Sequence, residues 1–162
     1  MSGRTIFEFQ LPKANMSNNA KHDAGFPESM GLEASRSFVR GKRFVVLEDD
    51  LMVSEALVSA LELLGGKVEC FDNAKSALQH PDIENADCYI VDYILSGEMD
   101  GINFLLGLRQ KLRKPICAVM MSGNTSSYFV RKAEMFDWPV IQKPANIEKL
   151  ISWLSGQYGR SA

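Results

Sequence analysis

The sequence of 162 residues predicts a doubly wound α/β domain, in which a five-stranded parallel sheet is flanked by five helices. Short apolar runs alternate along the chain with segments whose apolar residues recur at helical spacing. These runs are apolar almost throughout, which is typical of strands that are buried on both faces of a parallel sheet. The length suffices for one such domain with a full core and hardly for two.

Each element has its own signal in the sequence. In chain order, unbroken or alternating apolar residues predict strands at 44–47, 67–71, 88–91, 115–121 and 140–141. Apolar residues three and four positions apart predict helices at 51–64, 73–79, 102–112, 125–136 and 147–158. Gly65 and Gly66 end the first helix, Asp72 or Asn73 caps the second, and Pro81 follows its end.

Composition and charge exclude several classes of protein. Hydrophobic residues make up 46% of the chain, which excludes global disorder, and a net charge of −2 gives no overall field for nucleic acid or membranes. No apolar run is long enough for a transmembrane helix, and the first residues do not resemble a signal peptide. Cys70, Cys88 and Cys117 form no C-x-x-C pair. We therefore expect a cytoplasmic protein whose cysteines are small buried residues, with neither disulfides nor zinc.

The character of the chain changes near residue 41. Residues 13–40 contain scattered polar residues and glycine without a period, so we expect a linker with a short helix around 29–38. The predicted domain is 41–159, and residues 1–12 form a separate N-terminal segment.

Polar side chains stand where four of the predicted strands end. Glu48 and Asp49 follow the first strand, Asp92 the third, Ser122 the fourth and Lys143 the fifth. The carboxyl ends of parallel strands lie at one edge of a sheet, so we expect these groups to converge. Two carboxylates ~4 Å apart repel by roughly 4 kcal/mol, and the cluster therefore needs a cation or a bound proton. An oxygen-only ligand set without histidine or cysteine favours Mg²⁺ over zinc.

Taken alone, each of these residues has an ordinary structural explanation. An acidic pair before a helix usually caps it and interacts with its dipole, an aspartate after a strand usually forms a turn, and Lys-Pro is usually a loop. The joint pattern, in which five polar residues fall at strand ends in order, favours a site.

Residues 43–158 resemble the receiver domain of two-component response regulators, on the segments FVVLEDD, CYIVDYILSGEMDG, AVMMSG and VIQKPAN. The resemblance implies a flavodoxin-like fold and transfer of a phosphoryl group from a kinase phosphohistidine to an aspartate, with Mg²⁺. The implied roles are Asp92 as phosphoacceptor, Glu48, Asp49, Asp92 and the Ile94 carbonyl as the metal site, Ser122 as the switch hydroxyl and Lys143 as the essential lysine.

These roles agree with the chemistry of phosphoryl transfer, which depends mainly on positioning and on stabilising charge. The Asp92 carboxylate attacks in line as nucleophile, while Mg²⁺ and Lys143 neutralise the transferred oxygens. Ser122 then donates a hydrogen bond to the acyl phosphate, and the resulting shift of the following segment is the output, unless the phosphoryl group is passed onward.

The sequence departs from the family pattern at two places. Val140 stands three positions before Lys143, where the family often has an aromatic residue. Either the helix after Ser122 signals alone, or Trp138 substitutes for the missing ring. The loop after Asp92 lacks a frequent proline and is one residue longer than the commonest form.

The N-terminal segment has a second resemblance. Residues 3–12 (GRTIFEFQLP) resemble the last strand of a histidine-kinase ATP-binding domain, the alternative being an unrelated extended tail. The first interpretation makes the chain the C-terminal receiver of a hybrid sensor histidine kinase. The sequence contains no nucleotide-binding glycine box, so we expect this chain to catalyse no more than the phosphorylation and dephosphorylation of its own aspartate. We expect a histidine kinase or a histidine phosphotransfer protein as partner, with a homodimer as an option, and neither nucleic acid nor membrane contact.

The same fold is compatible with other functions. The main alternative is a phosphorylation-independent module that docks on or inhibits a histidine kinase. A flavin-binding protein needs a phosphate-binding loop after the first strand, where EDDLMVSE is acidic. A phosphatase of the haloacid-dehalogenase type needs a second aspartate two residues after Asp92, where Ile94 stands.

Overall fold

The computed structural model describes residues 28–123 and 126–158 of the chain. Five strands form one sheet in which every neighbouring pair is parallel. They are β1 (Arg43–Leu47), β2 (Lys67–Phe71), β3 (Cys88–Asp92), β4 (Ala118–Ser122) and β5 (Val140–Gln142). Their spatial order is β2-β1-β3-β4-β5, so the predicted parallel sheet is confirmed.

Helices connect the strands and precede the first of them. The six described α-helices are α1 (Glu28–Val39), α2 (Leu51–Leu63), α3 (Ala74–Gln79), α4 (Gly101–Leu112), α5 (Ser127–Glu134) and α6 (Ile147–Tyr158). A short 3₁₀ turn spans Ile83–Asn85. Within the described ranges, no helix is both long and apolar enough to cross a membrane.

Two hydrophobic cores lie on opposite faces of the sheet. Val45 and Leu47 of β1 pack into one core, whereas Phe44 and Val46 pack into the other. This alternation follows from the strand geometry, in which successive side chains point to opposite faces. Because helices cover both faces, every residue of β3 and β4 is buried, which explains why their sequences are almost wholly apolar.

The order of the strands brings the polar strand ends to one edge of the sheet. The chain runs from β1 outward to β2 and then back across to β3, so the direction of winding changes between β1 and β3. Leu47 pairs with Val91, Asp92 with Met121, and Ser122 with Gln142. The residues that follow β1 and β5 therefore lie beside the last residues of β3 and β4, at the type of crevice where open α/β sheets bind ligands.

The helix predicted around residues 29–38 is α1, and its C-terminal turn belongs to the packed domain. Phe38 and Val39 are buried in the core that also contains Leu150 and Leu154 of α6. The domain boundary at residue 41 remains a prediction. The N-terminal segment with its kinase resemblance, residues 1–12, and most of the predicted linker lie outside the described residues.

Several boundaries differ from the predicted ones. Strand β4 begins at Ala118 instead of residue 115, and Pro115 itself has no backbone N–H to donate to the ladder. Of the two candidate caps of α3, Asn73 is the one used, since its Oδ1 accepts a hydrogen bond of 2.8 Å from the Ser76 amide.

The prediction of three buried cysteines is wrong for Cys70, which is exposed on the edge strand β2. Cys88 is buried and Cys117 half-buried. Although 29 residues separate them in the chain, Cys88 begins β3 and Cys117 directly precedes the neighbouring strand β4, and their Sγ atoms lie 3.0 Å apart. The proximity of the Cys88 and Cys117 thiols could therefore not be predicted from their spacing in the sequence.

Candidate functional site

The structure brings three predicted site residues into direct contact at the carboxyl edge of the sheet. Nζ of Lys143 lies 2.6 Å from Oε2 of Glu48 and 2.7 Å from Oδ2 of Asp92. Glu48 follows β1, Asp92 ends β3 and Lys143 follows β5, so the contact depends on all three strands ending at the same level. The peptide bond between Lys143 and Pro144 is cis.

The Lys143 ammonium interacts with both carboxylates and neutralises part of their negative charge. Burial by itself lowers the pKa of the Lys143 ammonium, but its hydrogen bonds to Asp92 and Glu48 outweigh burial, so the net shift of the pKa is upward. Lys143 is therefore held in its charged form, and its ammonium is positioned beside the carboxylate that is predicted to accept the phosphoryl group.

Glu48 is an unusually buried carboxylate, only 2% exposed. Its Oε1 accepts a hydrogen bond of 3.0 Å from the Asp50 amide, and its Oε2 faces Lys143. Burial raises the pKa of Glu48 above its ordinary value, and the hydrogen bonds from Lys143 and the Asp50 amide offset only part of this rise. Such a side chain gains from an additional cation nearby.

The three consecutive acidic residues after β1 have different tasks. Asp50 caps α2, since its Oδ1 accepts hydrogen bonds from the amides of Met52 and Val53 at 2.9 and 3.2 Å. Asp49 is exposed, and its Oδ2 accepts a hydrogen bond of 3.0 Å from the Ser96 amide in the loop after β3. The ordinary capping explanation thus holds for Asp50 alone, and Glu48 and Asp49 remain available to the site.

The carboxylates of Glu48, Asp49 and Asp92 suit a divalent cation. Each supplies one oxygen, and the three oxygens lie within 4.8 Å of one another. Among the described residues, the ammonium that contacts this cluster is that of Lys143, which pairs with the two buried carboxylates, Glu48 and Asp92. A small, oxygen-only ligand set with an excess of negative charge fits Mg²⁺.

Ser122 and Ile94 lie next to this cluster. Ser122 ends β4 and is fully buried, and its carbonyl accepts a hydrogen bond of 2.9 Å from the Lys143 amide. The Ile94 amide donates to Oδ1 of Asp92 at 3.3 Å. The predicted roles of the Ser122 hydroxyl and of the Ile94 carbonyl remain predictions.

Gly101 supports the site by its close approach to the backbone of Asp92. A Cβ built on Gly101 would overlap the carbonyl oxygen of Asp92 and lie 2.9 Å from Cγ1 of Val91. The Gly101 amide also donates to the Tyr93 carbonyl at 3.0 Å. The start of α4 therefore packs directly on the backbone of the predicted phosphoacceptor, and only glycine permits this approach.

The similarity to known proteins agrees with this geometry. The family described as the response regulator receiver domain matches residues 44–155, which is more than half of the chain. This chain belongs to that family. It is a receiver domain of a two-component system, and receiver domains bind Mg²⁺ at an acidic pocket. No curated protein matches it in sequence.

Solved receiver domains share its fold. The receiver domain of the Francisella response regulator 1452 is 22% identical, with 75% of this chain and 100% of that chain covered and a TM-score of 0.63. A CheY-like receiver domain protein from Methanospirillum hungatei is 24% identical, with 74% and 94% covered and a TM-score of 0.65. The receiver domain of the histidine kinase CKI1 from Arabidopsis thaliana, complexed with Mg²⁺ and BeF₃⁻, is 20% identical, with 77% and 97% covered and a TM-score of 0.62.

At the first departure from the family pattern, Val140 and the neighbouring Trp138 both lie in the core of this receiver domain. Val140 is fully buried in the core. Trp138 is 3% exposed and packs beside Phe136, with the Arg109 guanidinium 5.4 Å from its ring centroid. Trp138 is thus part of the core and contacts α4 through Arg109.

Proposed function

We propose that this receiver domain accepts a phosphoryl group onto Asp92 from the phosphohistidine of a histidine kinase or a histidine phosphotransfer protein, with Mg²⁺. The observation that carries the proposal is the contact of Lys143 with Asp92 and Glu48 beside the Asp49 carboxylate. The proposal includes a cytoplasmic location, which is typical of receiver domains.

Asp92 is prepared for attack by its surroundings. Its side chain is 5% exposed, with Oδ2 bound to Lys143 and Oδ1 near the Ile94 amide. One carboxylate oxygen forms a bond to phosphorus while the bond from phosphorus to the donor histidine nitrogen breaks, and the imidazole leaves with the bonding electron pair. Fixing the carboxylate in advance lowers the entropy cost of this in-line step.

The remaining residues stabilise charge. Glu48, Asp49 and Asp92 would hold Mg²⁺, which supplies neutralisation of the phosphoryl oxygens when it is bound. The Lys143 ammonium already lies at the Asp92 carboxylate and exchanges part of that contact for an oxygen of the transferred group. Ser122, at the end of the neighbouring strand, donates a hydrogen bond to the acyl phosphate. The resulting change at β4 and α5 either is the signal or precedes transfer to another histidine.

The mass of the intact protein after incubation with acetyl phosphate and Mg²⁺ tests the proposal. We expect the gain of one phosphoryl group in the wild type, its loss on hydroxylamine treatment, and no gain in Asp92→Asn. Asp137→Asn is the matched control, because Asp137 has a positive φ that asparagine also tolerates, and it should be labelled like the wild type.

Two results would contradict the proposal. Labelling of Asp92→Asn at the wild-type level would show that the acceptor is another residue. A folded wild type that gains no mass, with acetyl phosphate or with a phosphorylated kinase, would favour the phosphorylation-independent docking module.

A further inference from the structure

We infer that the stacked rings of Tyr93 and Phe129 couple the phosphorylation state of Asp92 to helix α5. The inference rests on the proposed function, and it names the contact through which that site communicates. It also allows Asp92 to influence α5 without an aromatic residue at position 140.

Tyr93 is fixed to the phosphoacceptor strand by its backbone. It directly follows Asp92, its amide donates to the Met121 carbonyl at 2.8 Å, and its carbonyl accepts from the Gly101 amide at 3.0 Å. The backbone of Tyr93 is therefore held by both β4 and the start of α4. Because this backbone is restrained, a movement of Asp92 also moves the Tyr93 ring.

The ring of Tyr93 lies on the ring of Phe129. The two centroids are 3.7 Å apart and the planes are inclined by 25°, which is a stacked arrangement. Phe129 is 2% exposed and belongs to α5, the helix that follows Ser122 in the chain. One aromatic pair thus joins the residue after the predicted phosphoacceptor to the helix after the predicted switch hydroxyl.

A second, weaker contact joins α5 to the loop that follows β3. Nζ of Lys132 lies 3.9 Å from Oδ2 of Asp100, with both side chains about one-third exposed. Lys132 is three residues after Phe129, so both side chains project from the same side of α5. An exposed ion pair at this distance contributes little by itself, and the stacked rings are the main connection.

Packed aromatic rings favour discrete arrangements, because the pair either interdigitates with its neighbours or must separate. Phosphorylation adds negative charge at Asp92 and recruits the Ser122 hydroxyl, and both changes occur next to the segments that carry the two rings. The stack therefore biases α5 between two positions. The other aromatic residue weighed for this role, Trp138, packs under Arg109 and beside Phe136 instead.

Beryllofluoride with Mg²⁺, added to the 162-residue protein, provides the test. The readout is the change of amide chemical shifts in α5, residues 127–134, on saturation. A stacked pair alters an equilibrium by about two- to tenfold, so we expect Tyr93→Leu to reduce the α5 response by that factor. Tyr93→Phe keeps the stack and should respond like the wild type.

Phe71→Leu is the matched control for loss of a ring. Phe71 is also half-buried and packs on the same core, but its aromatic partner is His80, on the far side of β1 from Asp92. Its α5 response should equal that of the wild type. Phe129→Leu removes the stack from the other side and serves where Tyr93→Leu does not fold.

The outcomes separate this inference from the proposed function. A normal α5 response in Tyr93→Leu or Phe129→Leu, with labelling of Asp92 intact, overturns the inference and leaves the proposed function standing. A wild type that neither binds beryllofluoride nor becomes labelled overturns both. An equal reduction in Tyr93→Phe or Phe71→Leu would show general loss of packing and would also overturn the coupling.

Discussion

Lys143 and Asp92 are separated by 51 residues in the chain, yet Nζ of the lysine lies 2.7 Å from Oδ2 of the aspartate. The same ammonium contacts Glu48. The Lys143 ammonium thus pairs with two buried carboxylates, one at the end of β3 and one directly after β1. Both the fold and the predicted chemistry depend on these contacts of Lys143.

Replacement of Lys143 by alanine should weaken both the fold and the reaction. Glu48 and Asp92 would lose their shared cation, so we expect the free energy of unfolding to fall by about 1–3 kcal/mol while the protein remains folded. Loss of one charge-stabilising donor should slow labelling by acetyl phosphate about 100-fold or more. Urea denaturation and the rate of mass gain measure the two effects.

Lys111→Ala is the matched control for Lys143→Ala. Lys111 lies 2.7 Å from Glu84, but both side chains are about half exposed. Such surface pairs contribute about 0–1 kcal/mol, so stability should change little and labelling not at all. Equal effects of the two substitutions on stability and labelling would contradict the role of Lys143 in stabilising the buried carboxylates and the transferred group.

Gly101→Ala should distort the site through the backbone. The added methyl group would meet the Asp92 carbonyl and the Val91 side chain, and we expect a loss of about 1–3 kcal/mol of stability together with slower labelling. Gly107→Ala in the same helix is the control, since no atom lies within 4 Å of its built Cβ. Alanine at this helical, exposed position should stabilise the protein by about 0.5–1 kcal/mol. Thermal denaturation distinguishes the two variants. If Gly101→Ala left the stability unchanged, the close approach of Gly101 to the Asp92 carbonyl would be wrong.

The two neighbouring aspartates should differ in their effect on Mg²⁺ binding. Asp49 contributes to the oxygen cluster, whereas Asp50 caps α2, and asparagine is an equally good cap. At 100 times its dissociation constant Mg²⁺ stabilises the folded state by about 2.7 kcal/mol. We expect this gain in the wild type and in Asp50→Asn, and its loss in Asp49→Asn, when unfolding is followed with and without Mg²⁺. The reverse result would exchange the two assignments.

The main features of the fold and site could be predicted because they follow from local patterns and one general rule. Apolar runs mark the strands, polar residues mark the ends of four of them, and parallel strands carry those ends to a common edge. These facts suffice to bring Glu48, Asp92 and Lys143 together.

Other features depend on three-dimensional distances that no local pattern contains. Three acidic residues in a row look alike in the sequence, and only the backbone directs Asp50 to the helix and Asp49 to the Ser96 amide. The stack of Tyr93 on Phe129 joins α5 to the residue that follows β3, and Phe38 is buried in the core that also contains residues of α6, more than 100 positions away in the chain.

The burial of Glu48 predicts how stability depends on pH in the absence of metal. Burial raises the pKa of this carboxyl in the folded state above its ordinary value of 4.5, so the folded protein binds the proton more tightly than the unfolded chain does. Its contribution is therefore most favourable below pH 4.5, and the free energy of unfolding falls as the pH rises through the higher pKa of the folded state. The slope is at most about 1.4 kcal/mol per pH unit.

Glu48→Gln removes this titration while it keeps the size of the side chain. In urea denaturation with a chelator, the stability of the wild type relative to Glu48→Gln should decrease from pH 4.5 upward. Mg²⁺ should reverse the trend in the wild type alone, because the metal binds the deprotonated carboxylate and its stabilising effect grows with pH. If the free energy of unfolding had the same pH dependence in both proteins, the burial of Glu48 would not disfavour its charged form. The prediction that this carboxylate requires an additional cation would then be wrong.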